Sequence, residues 1–176
     1  MVPIVETARL RLRQFRESDL DRWAAVMADP VTVEHFGGEP MSREETWRRL
    51  LMSTGLWLTF GYGYWAAERK EDGALVGQVG IADFKREMQP AIDGAPEAGW
   101  IFAPEVHGQG YASEAVAAML EWADETLKAP EIRAIIAPKN APSIRIAEKN
   151  GFSSRQDASY KGDPILLFRR RLRHAS

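Results

Sequence analysis

The stretch Pro104-Glu105-Val106-His107-Gly108-Gln109-Gly110-Tyr111-Ala112-Ser113-Glu114-Ala115 decides how the rest of the chain is read. Before it, Glu97 to Phe102 forms an apolar run suited to a strand, halted by Pro104. After it, Val116, Met119, Leu120, Ala123 and Leu127 recur at the i, i+3, i+4, i+7 and i+11 spacing of an amphipathic helix. Small residues between a strand and a helix let backbone N–H groups converge, and the helix adds the positive end of its dipole, so a phosphate is the natural occupant. The spacing narrows the type. A dinucleotide fingerprint needs glycine where Ser113 stands, and a P-loop needs a Gly-Lys-Ser/Thr that is absent. Alone, a Gly-x-Gly turn is equally what a plain tight turn requires.

Working outward, Ile132 to Ala137 reads as a β-branched strand, and Asn140-Ala141-Pro142 opens a short helix with its proline in the first turn. Asn150-Gly151 stops that helix, and Ile165 to Leu172 reads as a last strand. Toward the start, Arg9 to Phe15 alternates basic and apolar residues with Leu10 and Leu12 on one face, the pattern of a half-buried strand. Ser18 with Asp21 is a capping-box cue for a helix carrying Leu20, Trp23, Ala24 and Met27, ended by Pro30. Ser42 with Glu45 repeats the cue after a Gly37-Gly38-Glu39-Pro40 turn, with Trp47, Leu50 and Leu51 marking one helical face. Tyr64 to Arg69 and Ala74 to Ile81 form a hairpin about Lys70-Glu71-Asp72-Gly73, followed by a polar loop with Pro90, Gly94 and Pro96. The order predicts a mixed α/β architecture: strand, two helices, three strands, helix, strand, helix, and one or two strands. The front half is antiparallel and a βαβ-like unit lies behind it. The cluster Arg169, Arg170, Arg171 and Arg173 reads as a solvated strand edge guarded against pairing, or else as a site for phosphate or an acidic partner.

Composition removes several classes. In 176 residues, 25 acidic and 23 basic side chains leave a net charge of −2, without the basic excess a nucleic-acid binder uses. With 45% hydrophobic and 27% charged residues, one ordinary domain spanning 1–176 is expected. The absence of cysteine excludes disulfides, thiolate metal sites and a covalent thioester to the protein. His35, His107 and His174 lack ligand spacing, so no metal is expected. No apolar run approaches the ~20 residues that span a bilayer, and Met1 to Arg13 alternates rather than forming a signal-peptide core; no membrane partner and a cytoplasmic location are expected.

Four segments, in order, resemble the GNAT acetyltransferase superfamily and, within it, the RimJ/RimL-type protein N-terminal acetyltransferases. Gly108 to Ala115 resembles the coenzyme A pyrophosphate loop, and Thr7 to Arg13 the opening strand. Glu97-Ala98-Gly99-Trp100-Ile101-Phe102 resembles the fourth strand, and Asn140-Ala141-Pro142-Ser143 through Glu148-Lys149-Asn150-Gly151-Phe152 the block that follows. The superfamily loop usually opens with Arg or Gln where His107 stands; because its phosphate contacts are largely backbone N–H groups, His107 is expected to be tolerated, as a phosphate contact or as a solvent-facing side chain. The implied fold is an α/β (α+β) GNAT domain. Its mixed, mostly antiparallel twisted sheet has six to seven strands flanked by about four helices, and a splayed central strand pair holds coenzyme A.

The resemblance implies acetyl transfer from acetyl-CoA to a primary amine by direct attack in a ternary complex. His107, Gly108, Gln109, Gly110, Tyr111, Ala112 and Ser113 would bind the cofactor, with Asn140 and Ser143 on the pantetheine arm. The Phe102 N–H would meet the oxyanion, in a strand splayed by a bulge with which Gly99 is compatible. Glu97 is the candidate base, directly or through water, or else a solvated strand-end charge; Ser143 is the candidate proton donor to the leaving thiolate, or else simply a first-turn residue capped by Asn140. At pH 7 about a tenth of an α-amine is neutral, against roughly one part in 2,500 of a lysine amine, so a modest base suits an N-terminal α-amine. The acceptor site is expected between the N-terminal helices and the loop from Asp83 to Pro96. Of the aromatics there, Trp23, Trp47, Trp57, Phe60, Tyr62 and Tyr64 read mainly as core, while Phe36 and Phe84 are substrate candidates. Asp83, Glu87 and Asp93 would attract a cationic amine, although a solvated loop predicts the same residues. The acceptor is a peptide N-terminus or, on other readings, a small amine such as an amino acid, polyamine or antibiotic, or none at all in an acyl-CoA-binding module. The resembling branch also implies a homodimer.

Overall fold

In chain order the elements are β1 (Val5–Glu6), β2 (Leu10–Arg13), α1 (Leu20–Met27), α2 (Pro30–Val33), α3 (Arg43–Phe60), β3 (Tyr64–Arg69), β4 (Leu75–Ala82), β5 (Met88–Gln89), β6 (Glu97–Phe102), α4 (Tyr111–Thr126), β7 (Glu131–Ile136), α5 (Ala141–Lys149), β8 (Ser154–Tyr160) and β9 (Asp163–Arg171). They come from a computed structural model that describes residues 1–92 and 94–173; Asp93 and His174 lie outside the described residues. One sheet runs in the order β1-β2-β3-β4-β6-β7-β9-β8-β5. All pairs are antiparallel except β6 with β7, which α4 connects as the crossover of a βαβ unit. The sheet thus has nine strands where six to seven are expected, and it is accompanied by five helices where about four are expected. The surplus is β8, two two-residue strands at the sheet edges, and the single turn α2.

Local signals account for most of these elements. The Ser42 box forms as expected: Ser42 Oγ accepts the Glu45 N–H at 3.2 Å, and Glu45 accepts the Ser42 N–H at 2.8 Å. Asn140 caps α5 by accepting the Ser143 N–H at 3.1 Å. Ser18 caps nothing. Asp19 takes that place, accepting the Arg16 N–H at 2.7 Å while Arg13 holds both its oxygens at 2.8 Å. Leu51 is 53% exposed, and α3 instead turns Thr46, Leu50, Ser53, Leu56 and Trp57 inward. Trp57, Trp65 and Trp122 meet edge-on with ring centroids 4.6 to 5.6 Å apart, joining α3, β3 and α4; such pairs contribute about 0.5–1.5 kcal/mol beyond area burial.

Two further expectations change. β9 is no edge, since β7 pairs on one side and β8 on the other. Arg170 is 7% exposed and holds Asp124 of α4 with two bonds of 2.6 and 2.8 Å, while Arg169 reaches Gln156. The β4–β6 ladder also runs from Gly77↔Phe102 to Ala82↔Glu97 without a register shift, so no bulge splays β6. The splay has another origin: β6 and β7 are in register only at Glu97↔Arg133, where the Arg133 N–H donates to the Pro96 carbonyl at 2.8 Å, and beyond that point they part.

Candidate active site

Gly108 and Gly110 both adopt left-handed backbone, φ +74° and +83°, a conformation open to glycine without strain. The turn they make leaves the N–H groups of Gly108, Gly110, Tyr111, Ala112 and Ser113 with no hydrogen-bond partner among the described residues; the first bond of α4 is Glu114 N–H to Gly110 C=O, 3.0 Å. Unpaired donors at the start of a sixteen-residue helix form an anion site, so the residues present fit the pyrophosphate of coenzyme A. Arg9 braces the loop from behind. It donates to Glu114 Oε2 at 2.7 Å and to the Gln109 carbonyl at 2.9 Å, and lies 4.2 Å above the Tyr111 ring, while Thr7 Oγ1 donates to Glu114 at 2.6 Å. Gln109 Nε2 donates to the Glu105 carbonyl and the Tyr111 ring is buried, so these two side chains hold the loop's shape. His107 is exposed, and its Nε2 in addition lies 2.8 Å from the Phe102 carbonyl, which can only accept.

The splay exposes one edge of β6. Ala103 N–H donates to Val76 on the β4 side, and backbone groups alternate along a strand, so the N–H groups of Trp100 and Phe102 face the gap toward β7. Across that gap the Trp100 indole N–H donates to Ser143 Oγ at 3.3 Å. A hydroxyl that accepts from an indole keeps its own proton available for donation. Sequence reasoning passed over Trp100 as a site residue, because an indole in a strand carries no local mark of the helix it will touch.

Glu97 stands at the head of β6, 4% exposed. It is no solvated strand-end charge: Arg86 grips it with Nε to Oε2 at 2.6 Å and Nη2 to Oε1 at 2.8 Å. Burial pulls the Arg86 guanidinium down, but its bonds to Glu97 outweigh that and hold it above its usual range. The Tyr64 hydroxyl lies against Gly99, where a Cβ would sit 2.2 Å from it; close approach, not a bulge, is the reason for that glycine. Burial, and after it the Glu97 charge, push the Tyr64 phenol well above its ordinary value, so it stands neutral. Phe84 packs beside Tyr64 with centroids 6.2 Å apart and lies under Arg86. Phe36 is half-buried beneath Arg49 of α3, and Asp83 is already paired with Lys85. Trp23 and Trp57 are core, Trp47 and Tyr62 pack partly against it, and Phe60 is exposed. Arg86, Arg49, Tyr64 and Arg9 had no spacing to single them out.

Comparison with known proteins shows the family. The chain belongs to the acetyltransferase (GNAT) domain family, whose model matches residues 9–153. It is similar to the protein YkkB of Bacillus subtilis (strain 168), 30% identical over 174 residues that cover 94% of each chain. It is also similar to the solved structure of a GnaT-family acetyltransferase from Bordetella pertussis, with 29% identity, a TM-score of 0.84, and coverage of 96% of this chain and 99% of that one. A RimL ribosomal alpha-N-protein acetyltransferase solved with coenzyme A shares the fold at 16% identity, with a TM-score of 0.77 over 98% of this chain and 100% of that one. The protein is an N-acetyltransferase whose co-substrate is acetyl-CoA. Among the described residues no group of three or more His, Asp or Glu could hold a metal, and no helix is long and apolar enough to cross a membrane.

Proposed function

We propose that this enzyme acetylates the α-amine of a peptide or protein N-terminus, the acceptor class of the RimJ/RimL branch, in the cytoplasm. The observation that carries the reading is an open groove at the acceptor end. It starts at Arg86, which grips Glu97, and runs past Met88 and Gln89 to Ser159, Lys161 and Gly162 at the β8–β9 turn. An open groove admits a chain, whereas a closed aromatic box would favour a small amine.

Bound acetyl-CoA supplies a thioester carbonyl and a thiol leaving group. The chain's own residues do the rest. Gly108 to Ser113 bind the pyrophosphate and Asn140 orients the pantetheine arm. The Phe102 N–H, in the gap, meets charge developing on the carbonyl oxygen. Glu97 receives the proton given up by the attacking amine, directly or through water. Arg86 occupies one lone pair on each of its oxygens, which suits an α-amine, already partly neutral at pH 7, better than a lysine amine. Ser143 Oγ, freed as a donor by Trp100, gives its proton to the departing sulfur.

The test is a thiol-release screen with acetyl-CoA across peptides differing in their first residue and a panel of small amines. Turnover with peptides supports the reading. Turnover confined to small amines overturns the acceptor class, and coenzyme A binding without any thiol release above hydrolysis overturns the catalytic assignment.

A further inference from the structure

Helix α3 carries a cation that the proposed reaction does not use. Arg49 projects from α3, half-buried, with its guanidinium 4.8 Å above the Phe36 ring. Among the described residues that guanidinium has no hydrogen bond and no ion pair; the Arg49 carbonyl accepts from Ser53 Oγ at 3.0 Å. Every other arginine that the fold buries or half-buries holds a carboxylate, or in Arg169 a side-chain amide oxygen. Burial, the largest influence, and the neighbouring Arg86 press the Arg49 guanidinium below its usual range, while Tyr64, Glu45 and Tyr160 pull the other way. Arg49 therefore lies within electrostatic reach of Arg86 and Tyr64, the two residues that flank Glu97. A half-buried guanidinium without an anion leaves planar, fork-shaped donors unused, and the group that matches them is a carboxylate or a phosphate.

The local charge balance points the same way. Of the acidic side chains expected to draw in a cationic acceptor, Asp83 is paired with Lys85, and the candidate base Glu97 is held by Arg86. Lys161 lines the groove beyond, with Glu87 the acidic residue among its lining, and the Lys85 found there is the partner of Asp83. With Asp83 and Glu97 matched in this way, the excess presented to an acceptor is positive.

We infer that Arg49 is a specificity residue that binds an anionic group carried by the acceptor close to its amine, so that the preferred substrates are peptides with an acidic first or second residue. Phe36 serves as the platform that orients the guanidinium plane. This inference rests on the peptide reading above, and the two fail in different ways.

The experiment compares kcat/KM for matched peptides bearing Asp or Glu at position one or two with their Asn or Gln counterparts, and with phosphoserine in the same places. These are run with the unaltered enzyme, Arg49→Gln and Arg49→Lys. The expected result is a preference of about ten- to hundredfold for the anionic peptides, the scale of a charge-assisted hydrogen bond. It collapses toward one in Arg49→Gln and is partly kept in Arg49→Lys. Carboxylate and phosphate arms show which anion is read. The ratio is internal to each variant, so a partly unfolded preparation does not distort it. Peptide turnover with no anionic preference, or a preference that survives Arg49→Gln, overturns the inference and leaves the peptide reading intact. No peptide turnover overturns both.

Discussion

Arg9, Arg11 and Arg13 share one alternating run, and the fold gives each a different task. Arg9 braces the glycine loop before α4, Arg11 stays exposed between Glu6 and Glu68, and Arg13 is buried against Asp19 and Glu68. The run was legible as a strand, but the period cannot say which arginine a neighbouring element will cover. The same holds for Glu97, whose place on β6 was legible and whose burial under Arg86 was not. Glu97→Gln is expected to lower kcat/KM by about a hundredfold or more, and to lower the melting temperature as well, because Arg86 loses its charged partner. Steady-state kinetics and a thermal melt separate the two effects. Ser143→Ala should lower kcat by about ten- to hundredfold with KM for the acceptor nearly unchanged, since a proton given to the departing sulfur is needed only in the transition state. A value of kcat unaltered by that substitution assigns the proton to water.

At the scale of elements, the strand–loop–helix unit β6–α4 was the most legible part of the chain. Its signals are local: glycines that reach positive φ, a helical apolar stripe, and a proline that ends the strand. Gly108→Asp or Gly110→Asp places a carboxylate among the unpaired N–H groups, so coenzyme A affinity should fall by more than about a hundredfold in calorimetry. Retained affinity would remove the phosphate-loop assignment. Capping shows the limit of local reading. Ser42 with Glu45 works as written, and Ser42→Ala should cost about 1 kcal/mol of stability, read by denaturant titration. Ser18 with Asp21 has the same pattern and fails, because Asp19 answers to Arg13 and Arg16 and starts the turn first.

For the whole molecule, Arg170 and Asp124 tie α4 to β9 across the back of the sheet, with side chains 8% and 14% exposed. Burial raises the Asp124 carboxyl, but Arg170 and the Arg173 N–H outweigh it and hold it below its usual value. A depressed carboxylate contributes stability that is complete above its unfolded value, about 4, and is lost as the pH falls through the lower native one. Asp124→Asn should therefore cost about 3 kcal/mol near neutrality and flatten the acid limb of a melting-temperature profile against pH. A profile superimposable on that of the unaltered protein would refute this linkage. By sequence β9 reads as an edge, because β8 exposes nearly all its side chains: no apolar alternation announces it, and only pairing with β9 makes it a strand. The amino-acid sequence by itself determined the α/β order, the glycine turn after β6 and the helix that follows it, because periodicity, caps and glycine turns act within a few residues. Tertiary structure alone decided where β6 and β7 part and which charges meet: Glu97 with Arg86 over 11 residues of chain, Arg9 with Glu114 over 105, and Arg49 left without an anion. Those pairings depend on desolvation and distance in the packed molecule, which no local pattern encodes.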